Sequence, residues 1–149
     1  MEQWVPQPID KVFAFMADAR NLEKITPPFL KFKVLSKTTK EIEEGTRLDY
    51  SLKVHGIPMK WQSTILDWLP NERFSDQQTR GPYSYWLHLH EFSAKDQGTV
   101  IRDHVRYNVP FWVPGDVILH GFIKKDLEEI FSYRRKMIAE TFGADSRNV

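Results

Sequence analysis

The chain has 149 residues, with 21 Lys and Arg against 20 Asp and Glu, 41% hydrophobic residues and no cysteine. A chain of this length forms one domain and buries roughly 68–70% of its extended surface without staples; the composition excludes disordered and fibrous chains, and the missing thiols exclude a disulfide framework, a thiolate metal site and a cysteine nucleophile. A net charge of +1 supplies no strong field for nucleic acid or an anionic membrane.

Aromatic residues make up 13% of the chain, with 10 Phe, 5 Tyr and 5 Trp. So many rings imply a large core or an apolar cavity, and composition does not choose between them. The opening MEQWVPQPID has neither a basic nor an apolar leader region, and no apolar run is long enough to span a bilayer. A soluble, cytoplasmic protein is the expectation.

Met1–Val5 reads as a short first strand. Pro8 suits the first position of a helix, on which Ile9, Val12, Phe13 and Met16 share one face. Asp18 can cap a second short turn carrying Leu22 and Ile25, and Thr26-Pro27-Pro28 stops it because neither proline continues the hydrogen-bond ladder. From Phe29 to Val109 the pattern is of strands. One begins around Phe32 and Val34, and Glu44-Gly45 turns it. Leu48, Tyr50, Leu52 and Val54 alternate cleanly. His55-Gly56-Ile57-Pro58 connects to a strand over 60–68, Leu69-Pro70-Asn71-Glu72 turns it, and further strands are expected over 73–80, 83–92 and 99–109. Consecutive strands with short turns imply an antiparallel meander. Pro110–Gly115 breaks the sheet. Asp116 can then cap a helix running to Phe142, about 40 Å long, with an apolar stripe of Ile118, Phe122, Ile123, Leu127, Ile130, Phe131, Ile138 and Phe142. Residues 143–149 read as a frayed tail.

The faces of the strands carry the chemistry. On 73–80, Phe74, Asp76, Gln78 and Arg80 alternate against Ser75, Gln77 and Thr79. On 99–109, Ile101, Asp103, Val105 and Tyr107 form the more apolar set. On 83–92, Trp86, His88, His90 and Phe92 oppose Tyr83, Tyr85, Leu87 and Leu89, and both faces are apolar enough that periodicity leaves the inner one open.

The element order and four strings resemble the START/Bet v 1-like (SRPBCC) superfamily, in an uncharacterised bacterial subgroup akin to polyketide cyclases and dehydrases. The strings are VFAFMADARNLEKITPPFLKF at 12–32, GIPMKWQSTILDW at 56–68, RFSDQQTRGPYSYWLHLHEF at 73–92 and GTVIRDHVRYNVPF at 98–111. The resemblance covers nearly the whole chain, as a single domain over 1–142. It implies an α+β helix-grip fold: a curved antiparallel sheet of about six to seven strands wrapped around a long C-terminal helix, with two short helices after the first strand. Only Met1–Val5 precede Pro6, where the family pattern starts its first strand several residues earlier, so the expected first strand is either short or truncated at its start.

The same resemblance turns Trp86, His88, His90 and Phe92 inward. It implies a groove whose candidate ligand-binding residues are Tyr50, Trp61, Asp76, Gln78, Trp86, His88, His90, Phe92, Asp103, Tyr107, Phe122 and Arg134. The expected ligand is a small hydrophobic molecule such as a lipid, quinone or polyketide. Three readings of the polar group stay open: a self-satisfied buried network, recognition of a ligand's polar end, and catalysis or metal binding. For catalysis the candidates are His88, His90 and Asp103, acting as acid and base in a cyclisation or dehydration. For metal, His88-x-His90 points both imidazoles one way, with Asp103 or Asp76 as a third ligand; the pattern is short, and no metal or cofactor is assigned from it.

Other features have plainer readings. Phe111 and Trp112 in PFWVPG read as a plug, a gate or a membrane-dipping tip, and Phe29 can border the cavity mouth. Arg134 is expected to snorkel along the helix edge, with a ligand carboxylate as its alternative partner, and Arg135 to face solvent. Nucleic-acid binding is not expected, membrane contact is left open, and family analogy raises an epimerase-like partner.

Overall fold

A computed structural model of the chain describes residues 1–109 and 116–143, with side chains 116–120 outside that description. In chain order the elements are β1 (Glu2–Val5), α1 (Ile9–Met16), α2 (Ala19–Leu22), a 3-10 turn (Pro28–Leu30), β2 (Lys33–Lys37), β3 (Arg47–Val54), β4 (Ile57–Leu69), β5 (Arg73–Arg80), β6 (Tyr85–Lys95), β7 (Gly98–Asn108) and α3 (Asp116–Phe142). The seven strands form one antiparallel sheet in the order β1-β7-β6-β5-β4-β3-β2. With the long α3 and the short helices after β1, this is the helix-grip α+β fold. The expected loop over Pro110–Gly115, with Phe111 and Trp112, the cap at Asp116, Ile118 of the stripe and the tail beyond Gly143 lie outside the described residues.

Local chemistry accounts for the breaks. Pro8 sits one position earlier than expected, at the N-cap, where its carbonyl accepts from the Lys11 and Val12 amides. Asp18 caps α2 by accepting from the Arg20 amide. The β3–β4 turn puts His55 (φ 49°) and Gly56 (φ 82°) in the left-handed region that a tight hairpin needs. Gly98 is required for a different reason. A Cβ there would lie 2.4 Å from the Val5 carbonyl oxygen, so only glycine lets β1 close against β7.

Two bulges break the period-2 pattern. Ile65 pairs with Asp76 but Asp67 pairs with Ser75, so Leu66 is extra and stands exposed. The slip turns Trp68 inward, where it meets Phe13 and Phe74. Likewise Ser63 pairs with Gln78 while Gln62 pairs with Arg80, making Thr79 the extra residue. Arg80 therefore leaves the face shared by Phe74, Asp76 and Gln78, against the simple alternation expected from sequence; it is exposed.

The space between sheet and helix is filled at one end only. Phe13 meets Trp68, Phe74 and Phe92 edge-on at 5.3–5.8 Å, and this cluster continues through Val5, Val12, Met16, Ile25, Ile101 and Ile138. The C-terminal part of α3 closes over it with Ile138 and Ala139. Arg135 ties the same part to β1: its Nη2 donates to the Glu2 carbonyl and its carbonyl accepts from Gln3 Nε2. Arg135 is therefore half-buried against the first strand rather than free in solvent.

Candidate functional site

Under the preceding part of α3, from Phe122 to Arg134, the sheet and helix enclose a cavity of about 1090 Å³ with mostly apolar walls. Its rim carries large apolar side chains open to solvent: Phe29 after α2, Ile57 at the β3–β4 turn and Phe122 on α3 are 53%, 60% and 58% exposed. His55 and Asp126 bridge the rim, Nε2 to Oδ2 at 2.9 Å, and join the hairpin tip to the helix.

Of the twelve residues expected to line the groove, eight do: Tyr50, Trp61, Asp76, Trp86, His88, His90, Phe122 and Arg134. The other four stand behind them. Phe92 belongs to the Phe13 core. Gln78 is held under the β5–β6 turn, donating to the Tyr83 carbonyl and accepting from the Tyr83 amide. Tyr107 packs on Tyr83 and Trp86. Asp103 has a fully buried side chain and lies against both histidines without lining the cavity.

The polar centre comes from strand register. Asp76 on β5 is directly opposite His88 on β6, and His90 is opposite Asp103 on β7. Both imidazoles stack toward each other, with ring centroids 3.8 Å apart, and His90 also lies flat on Phe74 at 4.3 Å. Their inner nitrogens converge on one oxygen: His88 Nε2 is 3.1 Å and His90 Nδ1 2.6 Å from Asp103 Oδ1. The first is a hydrogen bond; the second is a close charge contact off the N–H direction, and His90 Nδ1 and Asp103 Oδ2 have no well-aligned hydrogen bond among the described residues. The outer nitrogens, His88 Nδ1 and His90 Nε2, face Asp76 Oδ2 at 3.8 and 3.7 Å. Asp76 is held from behind: Trp61 Nε1 donates to Ser63 Oγ at 3.0 Å, and Ser63 Oγ donates to Asp76 Oδ1 at 3.1 Å.

Burial and charge drive the two imidazoles apart. Burial, reinforced by the neighbouring His90, lowers the His88 pKa to about 4, despite Asp103 and Asp76. Burial also opposes the charged form of His90, but the Asp103 carboxylate and then Asp76 outweigh it and raise the pKa. Burial works against both carboxylates as well; the neighbouring His90 and then the charge of His88 nonetheless lower Asp76, and the charge of His90 holds Asp103 well below the carboxylate range.

Arg134 is the largest departure from expectation. It does not snorkel: the residue is 7% exposed, its guanidinium lies 5.3 Å over the Phe131 ring, and it forms part of the cavity wall. Its Nε and Nη1 are buried without a hydrogen-bond partner among the described residues. The charge is felt by Tyr50, whose hydroxyl burial pushes far above its ordinary pKa and which Asp76 and Asp49 push further, with Arg134 opposing them.

Sequence reasoning missed Ser63, Tyr83 and Phe131. Ser63 was available from the alternation beginning at Trp61. Tyr83 was assigned to the outer face of a strand, but it precedes β6 and turns in against Trp61 and Trp86 at 5.6 and 4.9 Å. Phe131, placed on the helix stripe, also meets His88 edge-on at 5.6 Å.

Residues 5–131 match the family described as Polyketide cyclase / dehydrase and lipid transport, and the chain belongs to it. Family membership and the apolar cavity together support small-hydrophobic-ligand binding as the general role. No functionally curated protein matches the sequence. Among solved structures, the chain is similar to a START superfamily protein from Mycobacterium smegmatis, with TM-score 0.69 and 14% identity over 96% of this chain and 94% of that one. It is also similar to the di-domain ARO/CYC StfQ from the steffimycin biosynthetic pathway, with TM-score 0.73 and 12% identity over 100% of this chain and 51% of that one. A third likeness is to a nucleoside-diphosphate sugar epimerase from Corynebacterium glutamicum, with TM-score 0.68 and 20% identity over 93% of this chain and 28% of that one. At these identities the likenesses concern the fold. No helix among the described residues is long and apolar enough to cross a membrane.

Proposed function

We propose that the protein binds, and passes on, a small hydrophobic molecule with an acidic or enolic head, such as a fatty acid or polyketide. One observation carries this reading: Arg134 is a buried cation in an apolar cavity wall whose Nε and Nη1 have no hydrogen-bond partner among the described residues. A buried donor without an acceptor costs about 1–3 kcal/mol, and more when charged. A ligand carboxylate or enolate entering the cavity supplies that acceptor, while its apolar body covers Tyr50, Trp61, Leu127 and Ile130. The volume of about 1090 Å³ accommodates a drug-sized or lipid-sized molecule.

The test compares cis-parinaric acid with its methyl ester by fluorescence on delipidated protein. The acid is expected to bind more tightly, and the Arg134→Met variant to bind both alike. Equal binding by wild type, or no binding of either, rejects the reading. Mass spectrometry of a solvent extract of the purified protein identifies any natural occupant.

A second reading has its own support: two imidazoles whose surroundings push their pKa values in opposite directions stand side by side at the cavity wall. His88 is then the base and His90 the acid of an enolisation, the step shared by aldol cyclisation and dehydration. Deuterium uptake from D2O at the central carbon of a long-chain 1,3-diketone measures it. Acceleration lost in His88→Gln supports catalysis; a rate equal to buffer leaves the protein a carrier.

A further inference from the structure

The Asp76–His88–His90 group fails as a hydrogen-bond network in an instructive way. The distances from Asp76 Oδ2 to His88 Nδ1 and His90 Nε2 are 3.8 and 3.7 Å. Both are too long for direct hydrogen bonds. They are also short for a bridging water, whose partners stand roughly 4.5 Å apart at ordinary bond lengths and angles. They suit an ion: two metal–ligand bonds of about 2.0–2.2 Å span roughly 3.3–3.8 Å at angles between tetrahedral and trigonal.

We infer that Asp76 Oδ2, His88 Nδ1 and His90 Nε2 form a binding site for one divalent transition-metal ion at the wall of the cavity. One donor atom from each residue lies within 4.8 Å of the other two. All three residues line the cavity, so the remaining coordination positions open onto it, as in sites with three protein ligands and an exchangeable fourth. Two imidazoles and one carboxylate suit zinc or another first-row ion better than magnesium or calcium, which prefer oxygen.

The surroundings are those of a built site. Of the two carboxylates that sequence offered as third ligand, the register selects Asp76 and places Asp103 behind. Asp103 Oδ1 touches the nitrogen of each imidazole that points away from the cavity, the position from which a carboxylate fixes the tautomer of a metal-bound histidine. Ser63 does the corresponding work for Asp76 by donating to Oδ1, leaving Oδ2 free toward the histidines. A divalent cation also balances the charge of the two carboxylates, the buried Asp103 and the half-buried Asp76. The site is separate from the Arg134 reading and does not depend on it.

The test uses chain made without a polyhistidine tag, stripped with chelator and titrated with zinc chloride by calorimetry, with magnesium chloride as comparator. About one zinc per chain and no magnesium is the expected result. Asp76→Asn, which leaves the isosteric side chain in place, should weaken zinc at least about 100-fold, and Asp103→Asn, a positioning residue, about 10–100-fold. His104→Gln, on the exposed face of β7, should leave binding unchanged. Imidazole 15N spectra assign the atoms without any variant: zinc should move His88 Nδ1 and His90 Nε2 most. A stoichiometry far below one, zinc affinity unaltered by Asp76→Asn, or shifts confined to His55 or His104 each overturns the site. Because no lipid is present, zinc binding without parinaric acid binding, or the reverse, tells the two proposals apart.

Discussion

His88 and His90 lie with ring centroids 3.8 Å apart on one strand, yet their surroundings push their pKa values in opposite directions. Both rings touch the same buried Asp103 oxygen, His90 Nδ1 at 2.6 Å and His88 Nε2 at 3.1 Å; the carboxylate raises His90, while burial and then the charge of His90 lower His88.

In chelator-treated protein, imidazole NMR should show His88 neutral down to about pH 4 and His90 protonated above the ordinary histidine range. Stability follows with opposite signs. As pH falls from about 6.5, the unfolded-state value, toward about 4, the unfolded chain takes up a proton that folded His88 refuses, so stability declines. His90 contributes fully below its unfolded value and loses its contribution as pH rises through its raised folded pKa. Asp103 contributes above the ordinary carboxylate range and loses it as pH falls through its depressed value. Urea midpoints against pH should therefore peak near neutrality, and His88→Gln should flatten the limb between about 6.5 and 4.

Arg134→Met should leave the ligand-free protein as stable as wild type or more so, by up to about 1–3 kcal/mol, since it removes buried donors that have no acceptor among the described residues. Thermal melts of delipidated protein check this. A variant that gains stability while losing its preference for acid over ester is the mark of a residue kept for binding.

Aromatic deletions should divide by position. Phe13→Ala removes the centre of the filled end and should cost about 3–5 kcal/mol. Phe122→Ala, at the solvent-open rim, should stay within about 0.5 kcal/mol. Denaturant unfolding separates the two, and equal costs would mean that the rim is packed in solution.

Asp126→Asn weakens the bridge between His55 and α3. The pair is partly exposed, so stability should change by less than about 1 kcal/mol. Release of parinaric acid should nonetheless quicken several-fold in stopped-flow exchange, because the bridge spans the cavity mouth. An unchanged release rate would show that the ligand leaves by another route.

The sequence made much of this architecture legible. The alternation of Leu48, Tyr50, Leu52 and Val54 marks β3, and the long apolar stripe marks α3, because each pattern is sustained over several residues. The inward turn of His88 and His90 came from resemblance rather than periodicity, since β6 carries apolar groups on both faces. What stayed hidden was geometric. A bulge at Leu66 or Thr79 leaves no sequence signal of its own, so simple alternation puts Arg80 on one face with Asp76 and Gln78. Arg134, midway between Ile130 and Ile138, reads as a helix edge until the width of the enclosing sheet is known. Spacing showed that Asp76 and Asp103 could both meet the histidines; only their heights in the register show which side of the rings each one holds.

The asymmetric filling of the interior makes α3 a cantilever. Its C-terminal end is clamped by Ile138, Ala139 and the ties between Arg135 and β1, while the stretch from Phe122 to Arg134 spans a hollow and is held at Asp126 by His55. A beam held this way bends where it is unsupported, so the mouth can widen while the Phe13 cluster stays still. Amide exchange should accordingly slow step by step along the helix toward Phe142, a gradient that a uniformly seated helix would lack.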